Sequence, residues 1–240
     1  MSTGRFCWFD LMTSDVASAK SFYTALFGWV FVDHNPAYTM IQDPAGRGLG
    51  GLMAAGPGQP NAWLPYVSAD DLDAVVAKIR DGGGKVFMQH AAPGAGRFAI
   101  YADPQGAVLA AIQLEKDDGT YPREKSQNHI CWAELQSPDP AAALAFHQGV
   151  YGWAHEAWGS DYFLIGSEHA GGINRAQPGV PPHWLIYVNT APADASAARV
   201  TELGGKVLAP PQAMGEVGRF AVFADPQGAV FAVMESARRA

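Results

Sequence analysis

The stretch Cys7-Trp8-Phe9-Asp10-Leu11 returns as Cys131-Trp132-Ala133-Glu134-Leu135, a shift of 124 residues, and that return decides how the rest of the chain is read. At the same shift Asp15 falls on Asp139, Phe22 on Phe146, Phe27 on Tyr151 and Gly28-Trp29 on Gly152-Trp153. Farther on the shift becomes 121, which aligns Trp63-Leu64 with Trp184-Leu185 and Tyr66-Val67 with Tyr187-Val188. It then becomes 122, where Ala102-Asp103-Pro104-Gln105-Gly106 meets Ala224-Asp225-Pro226-Gln227-Gly228. So many identities in one order mark a duplicated unit. Between the copies, Glu115 to Gln127 reads EKDDGTYPREKSQ, a charged connector with one Gly and one Pro, which predicts two domains at residues 1–116 and 127–240.

Each copy divides again. Phe6 to Leu11 reads as a strand, and Ser14-Asp15 after it as a helix cap. Val16, Ala19, Phe22, Tyr23 and Leu26 then recur on one helical face up to Gly28, which suits a left-handed helix end. Short apolar runs follow at Tyr38–Gln42 and Leu49–Met53. The order repeats from Trp63, with a helical stripe of Leu72, Val75, Val76 and Ile79 and strands at Lys85–Gln89, Arg97–Tyr101 and Ala107–Leu114. The expected fold is α+β, four βαβββ modules in two domains. A sheet covered by helices on one face needs company on the other, so paired modules are expected to form curved mixed sheets enclosing cups. Pairing within a copy, or exchanged between copies or chains, stays open, and with it monomer or homodimer.

Composition narrows the function classes. The 240 residues carry 48% apolar and 16% charged residues, a globular balance, and 16 basic against 23 acidic residues, a net charge of −7 that argues against nucleic acid as a partner. The longest uncharged stretch, Gly48 to Ala69, is broken by Gly and Pro, which predicts no membrane span. The first ten residues lack an apolar signal region, so a cytoplasmic protein is expected. Two cysteines are too few for a disulfide framework or a zinc cluster.

The run Asp15…Phe22-Tyr23…Leu26-Phe27-Gly28, the turn Asp103-Pro104-Gln105-Gly106 and their repeats at Asp139–Gly152 and Asp225–Gly228 resemble the vicinal oxygen chelate superfamily, which includes glyoxalase I, bleomycin-resistance proteins and extradiol dioxygenases. The Trp-x-Asp/Glu-Leu first strand is similar to that of its two-domain glyoxalase-like members. The resemblance implies a divalent metal held by His and Glu at set positions. Counted from the helix-capping and turn aspartates, those positions hold Trp8, Leu64 and Ala110 in one copy and Trp132, Leu185 and Ala232 in the other, with Gly50-Gly51 and Gly171-Gly172 at the remaining slot. None of these side chains donates to a dication. No metal and no cofactor is therefore expected.

Asp10 and Glu134 lie two residues beyond the Trp slots and share their strand face. They are the candidate acid or base, since a carboxylate in an apolar cup is held toward its neutral form; the alternative is a carboxylate paired with an arginine or backbone N–H groups. Arg97 and Arg219 are candidate partners for those acids or for an anionic ligand, or else members of structural ion pairs. Tyr66 and Tyr187, two residues after Leu64 and Leu185, offer phenols to a ligand or pack in the core. Trp8 and Trp132 supply flat apolar walls, while Trp63 and Trp184 are expected under a helix. Five of the seven histidines, His129, His147, His155, His169 and His183, fall in the second copy without metal-ligand spacing. The expected function is metal-independent binding of a small planar or anionic molecule in a Trp-lined cup. The alternative is a glyoxalase- or dioxygenase-type lyase or oxygenase using other metal ligands, or Asp10 and Glu134 as acid and base.

Overall fold

The computed structural model describes residues 3–116, 126–166, 171–190 and 192–237, so connector residues 117–125 and His169 lie outside the described residues. The first copy runs β1 (Phe6–Thr13), α1 (Val16–Phe27), β2 (Val30–Asn35), β3 (Tyr38–Gln42), β4 (Gly48–Ala54), β5 (Ala62–Ser68), α2 (Leu72–Asp81), β6 (Lys85–Ala92), β7 (Gly96–Ala102) and β8 (Val108–Leu114). The second runs β9 (Ile130–Ser137), α3 (Pro140–Tyr151), β10 (His155–Ala157), β11 (Tyr162–Ile165), β12 (Gly171–Arg175), β13 (His183–Asn189), α4 (Ala193–Glu202), β14 (Lys206–Met214), β15 (Gly218–Ala224) and β16 (Val230–Ser236). The four βαβββ modules are all present. Each copy forms one eight-stranded mixed sheet, in the order β2-β3-β4-β1-β5-β8-β7-β6 and its repeat β10-β11-β12-β9-β13-β16-β15-β14.

Local chemistry places the helices. Asp15, in extended conformation, accepts the Ser18 N–H and starts α1, and Asp139 accepts that of Ala142 ahead of Pro140 in α3. Gly28 and Gly152 close these helices at φ 72° and 69°, where a side chain would be strained. Helix α2 is capped by Asp71, but α4 begins at Pro192 with no side-chain cap. A distant carboxylate substitutes: Glu235 Oε2 accepts the Ala193 N–H at 2.9 Å, as Gln113 Oε1 accepts that of Leu72 at 3.1 Å.

The compact units of the chain do not follow the copies. One comprises the described residues within 1–8, 64–120 and 132–185, and the other those within 9–63, 121–131 and 186–240. Each combines one module from either copy. In the second of these units Tyr23 of α1 is fully buried against Trp29 (5.5 Å between centroids), Trp63 (5.5 Å) and Phe231 (5.6 Å). In the first, His147 of α3 takes the corresponding place, 5.3 Å from Trp153 and 5.6 Å from Trp184. Aromatic pairs of this kind add about 0.5–1.5 kcal/mol each beyond the area they bury, so these clusters fix the helices.

Candidate functional site

In parallel pairing β1 sets Asp10 opposite Gly51 of β4, and antiparallel pairing sets Gly51 opposite Met40 of β3. Tyr38, two residues before Met40, shares its face and reaches diagonally across the bare glycine to donate its hydroxyl hydrogen to Asp10 Oδ1 at 2.7 Å. A Cβ on Gly51 would collide with both the Tyr38 hydroxyl and the Asp10 carboxylate, so the glycine is what permits the contact. The second copy repeats it. Glu134 of β9 is opposite Gly172, Gly172 is opposite Leu164, and Tyr162 crosses to donate to Glu134 Oε2 at 2.8 Å. Gln136 adds a hydrogen bond from its Nε2 to Glu134 Oε1.

Both carboxylates are buried, Asp10 to 3% exposure and Glu134 to 5%. Burial, followed by the neighbouring Glu134 charge and its hydrogen bond, drives the Tyr162 phenol far above its ordinary range, while a hydrogen bond from the Trp132 side chain acts the other way. Tyr162 therefore stays protonated and works as a donor to the carboxylate.

The second module of each copy has the same geometry with apolar chemistry. Tyr66 of β5 is opposite Ala110, Ala110 is opposite Ile100, and Phe98 reaches diagonally to the Tyr66 ring at 5.9 Å. Tyr187, Ala232, Val222 and Phe220 reproduce the set, with rings 6.5 Å apart. Each compact unit thus holds one carboxylate–phenol set and one aromatic set: Glu134 and Tyr66 in one unit, Asp10 and Tyr187 in the other.

Of the other sequence candidates, Trp8 and Trp132 are half-buried on the strand faces of Asp10 and Glu134, and Leu64, Leu185, Ala110 and Ala232 are buried. Arg97 and Arg219 are placed elsewhere: their guanidinium groups pair with Asp73 of α2, at 2.8 Å, and with Asp194 of α4. Trp63 and Trp184 pack against Tyr23 of α1 and His147 of α3. The residues that sequence reasoning missed are Tyr38, Tyr162 and Gln136. The two tyrosines follow their carboxylates by 38 − 10 = 28 and 162 − 134 = 28 residues, so the 124-residue repeat already carried the signal.

The donor set does not fit a divalent ion. The strand positions hold indole, isobutyl, methyl and hydrogen, and among the described residues no three His, Cys, Asp or Glu side chains converge.

Comparison with known proteins places the chain in a family. Residues 5–110 match the family model of the Glyoxalase/Bleomycin resistance protein/Dioxygenase superfamily, and residues 132–234 match that of a Glyoxalase-like domain. The "Putative glyoxylase CFP32" of Mycobacterium tuberculosis is 39% identical over 96% of this chain and 94% of its own length. The "Anthracycline biosynthesis protein DnrV" of Streptomyces peucetius is 32% identical over 97% of this chain and 93% of its own. In fold the chain is similar to the Mn(II)-bound glyoxalase of Novosphingobium aromaticivorans, with a TM-score of 0.68 and 19% identity over 98% of this chain and 84% of that one. It is likewise similar to the 2,3-dioxygenase LapB of Pseudomonas sp. KL28, with a TM-score of 0.68 and 10% identity over 99% and 94%. With both copies matched and relatives aligned along almost its full length, the chain belongs to the glyoxalase/bleomycin resistance protein/dioxygenase superfamily.

Proposed function

We propose that the protein binds, without a metal ion, a small planar molecule bearing hydroxyl or N–H groups, on the sheet faces that carry Asp10 and Glu134. The observation that carries this reading is the repeated carboxylate–phenol pair laid over a glycine, Asp10–Tyr38–Gly51 and Glu134–Tyr162–Gly172. A buried carboxylate already oriented by a phenol is an acceptor for a ligand donor, and the half-buried indoles of Trp8 and Trp132 on the same strand faces suit a flat guest. An anionic guest is disfavoured. The carboxylates would repel it, and Arg97 and Arg219 are engaged with Asp73 and Asp194. That a relative of similar length is named an anthracycline biosynthesis protein supports a planar, hydroxylated guest.

A second reading rests on the same pairs: a buried carboxylate beside a ligand hydroxyl can accept its proton, which makes Asp10 or Glu134 a general base in metal-free catalysis. One experiment separates the two. Chelator-treated protein is titrated with 1,4-dihydroxyanthraquinone by tryptophan fluorescence, for the wild type, Asp10→Asn, Glu134→Gln and Trp132→Phe, with metal per chain measured in parallel. Saturable quenching by the metal-free wild type, weakened about tenfold or more in the carboxylate variants, is expected. Quenching only after metal is restored, or equal in all variants, overturns the proposal. Chemical conversion of the probe that disappears in Asp10→Asn or Glu134→Gln while quenching persists establishes the catalytic reading.

A further inference from the structure

The two compact units place different side chains at one corresponding point. In one unit the Tyr23 hydroxyl accepts the Trp63 indole N–H at 3.1 Å and donates to Asp225 Oδ2 at 3.2 Å, so three buried polar groups satisfy one another. In the other unit the 124-, 121- and 122-residue shifts replace Tyr23 by His147, Trp63 by Trp184 and Asp225 by Asp103. Imidazole reaches less far than phenol. The consequence is visible: Asp103 Oδ2, Trp184 Nε1 and both His147 ring nitrogens are buried without a hydrogen-bond partner among the described residues. His147 Nε2 stands 3.7 Å from Asp103 Oδ2, too far for a direct bond. His147 is 0% exposed, and Asp103 and Trp184 are 4% exposed each.

Leaving such groups unpaired is costly, and buried polar groups without protein partners are where proteins hold internal water with about three hydrogen bonds. We infer that Asp103, His147 and Trp184 form a binding site for one buried water molecule, seated where the Tyr23 hydroxyl lies in the other unit. The water satisfies three of the four groups and leaves the His147 Nδ1–H as it is. The water accepts the Trp184 N–H, donates one hydrogen to Asp103 Oδ2, and donates the other to His147 Nε2 in the tautomer that carries its proton on Nδ1. Asp103 keeps its other oxygen for the backbone N–H groups of Gln105, Gly106 and Ala107, so the water completes a carboxylate that already holds its turn.

The test is a crystal structure of the full chain at a resolution that shows ordered water, together with one of His147→Tyr. A density peak within hydrogen-bond distance of Asp103 Oδ2, Trp184 Nε1 and His147 Nε2 is expected in the wild type. In His147→Tyr the phenol oxygen replaces that peak and the melting temperature rises by about 2–4 °C. Absence of the wild-type peak overturns the inference whatever the variant does, and so does a peak that persists in His147→Tyr beside the new hydroxyl.

Discussion

The two carboxylate sets and the two helix–turn contacts behave differently under the same duplication. At the sheet face, Asp10 became Glu134 and Met12 became Gln136, yet the tyrosine still crosses a glycine to reach the acid. Beneath the helices, Tyr23 became His147 and a direct hydroxyl-to-carboxylate bond became a 3.7 Å separation. The difference lies in what each contact depends on. The carboxylate–phenol pair is set by strand register and one absent Cβ, so it tolerates a methylene more or less in the acid. The helix–turn contact is set by the length of one buried side chain, and a close-packed interior passes any change in length to its neighbours.

The comparison predicts how each region fails. The largest loss is expected from Tyr23→Phe, which strands Asp225 Oδ2 and Trp63 Nε1 without the hydroxyl that joins them; chemical denaturation should show a loss of about 3 kcal/mol. Gly51→Ala and Gly172→Ala come next. The added methyl group must displace Tyr38 or Tyr162, at a cost of about 1–3 kcal/mol and with loss of the quenching expected of the proposed ligand. If both variants bind the probe as the wild type does, the carboxylate–phenol pairs are not the binding groups.

Acid should separate the two helix–turn contacts in opposite directions. Burial holds the His147 ring below its ordinary value of 6.5, although the Asp103 carboxylate works against this. The unfolded ring therefore takes up its proton first, and the stability this residue supplies above about pH 6.5 is lost as the pH falls below it. Asp225 is raised from 3.8 by burial, against the hydrogen bonds of the Ala229 N–H and the Tyr23 hydroxyl. Its folded form takes the proton first, so stability is gained as the pH falls through its folded value toward 3.8. Hydrogen-exchange protection factors between about pH 7 and about pH 5 should therefore fall in α3 relative to α1. His147→Tyr should abolish that fall; an equal fall in the variant would assign it to other groups. The smallest effect is expected for Arg97→Ala and Arg219→Ala. Their ion pairs lie in solvent, so neither melting temperature nor probe quenching should change measurably.

Much of this is legible in the sequence. The repeat at 124, 121 and 122 residues aligns the copies, and the cap at Asp15 with its repeat Asp139 and the Asp-Pro-Gln-Gly turns place the modules because each is a local signal read within a few residues. Asp10 and Glu134 stood out as candidate acids because alternation along one strand is also local. Tyr38 and Tyr162 escape the sequence reading although the repeat aligns them, since nothing in a short run such as Tyr38–Gln42 says that its first side chain will reach across a neighbouring strand. For Arg97 and Arg219 the sequence leaves a ligand contact and a structural ion pair both open, because it does not show that Asp73 of α2 and Asp194 of α4 are the partners they meet.

The sequence by itself determined the duplication, the βαβββ order and the donor-poor strand positions, all consequences of residue type and spacing along one chain. Only the tertiary structure decided which modules share a compact unit, that glycine lets a tyrosine reach an acid, and that His147 falls short where Tyr23 reaches. Those outcomes depend on distances between strands and helices far apart in sequence, fixed by register and packing rather than by any neighbouring residue.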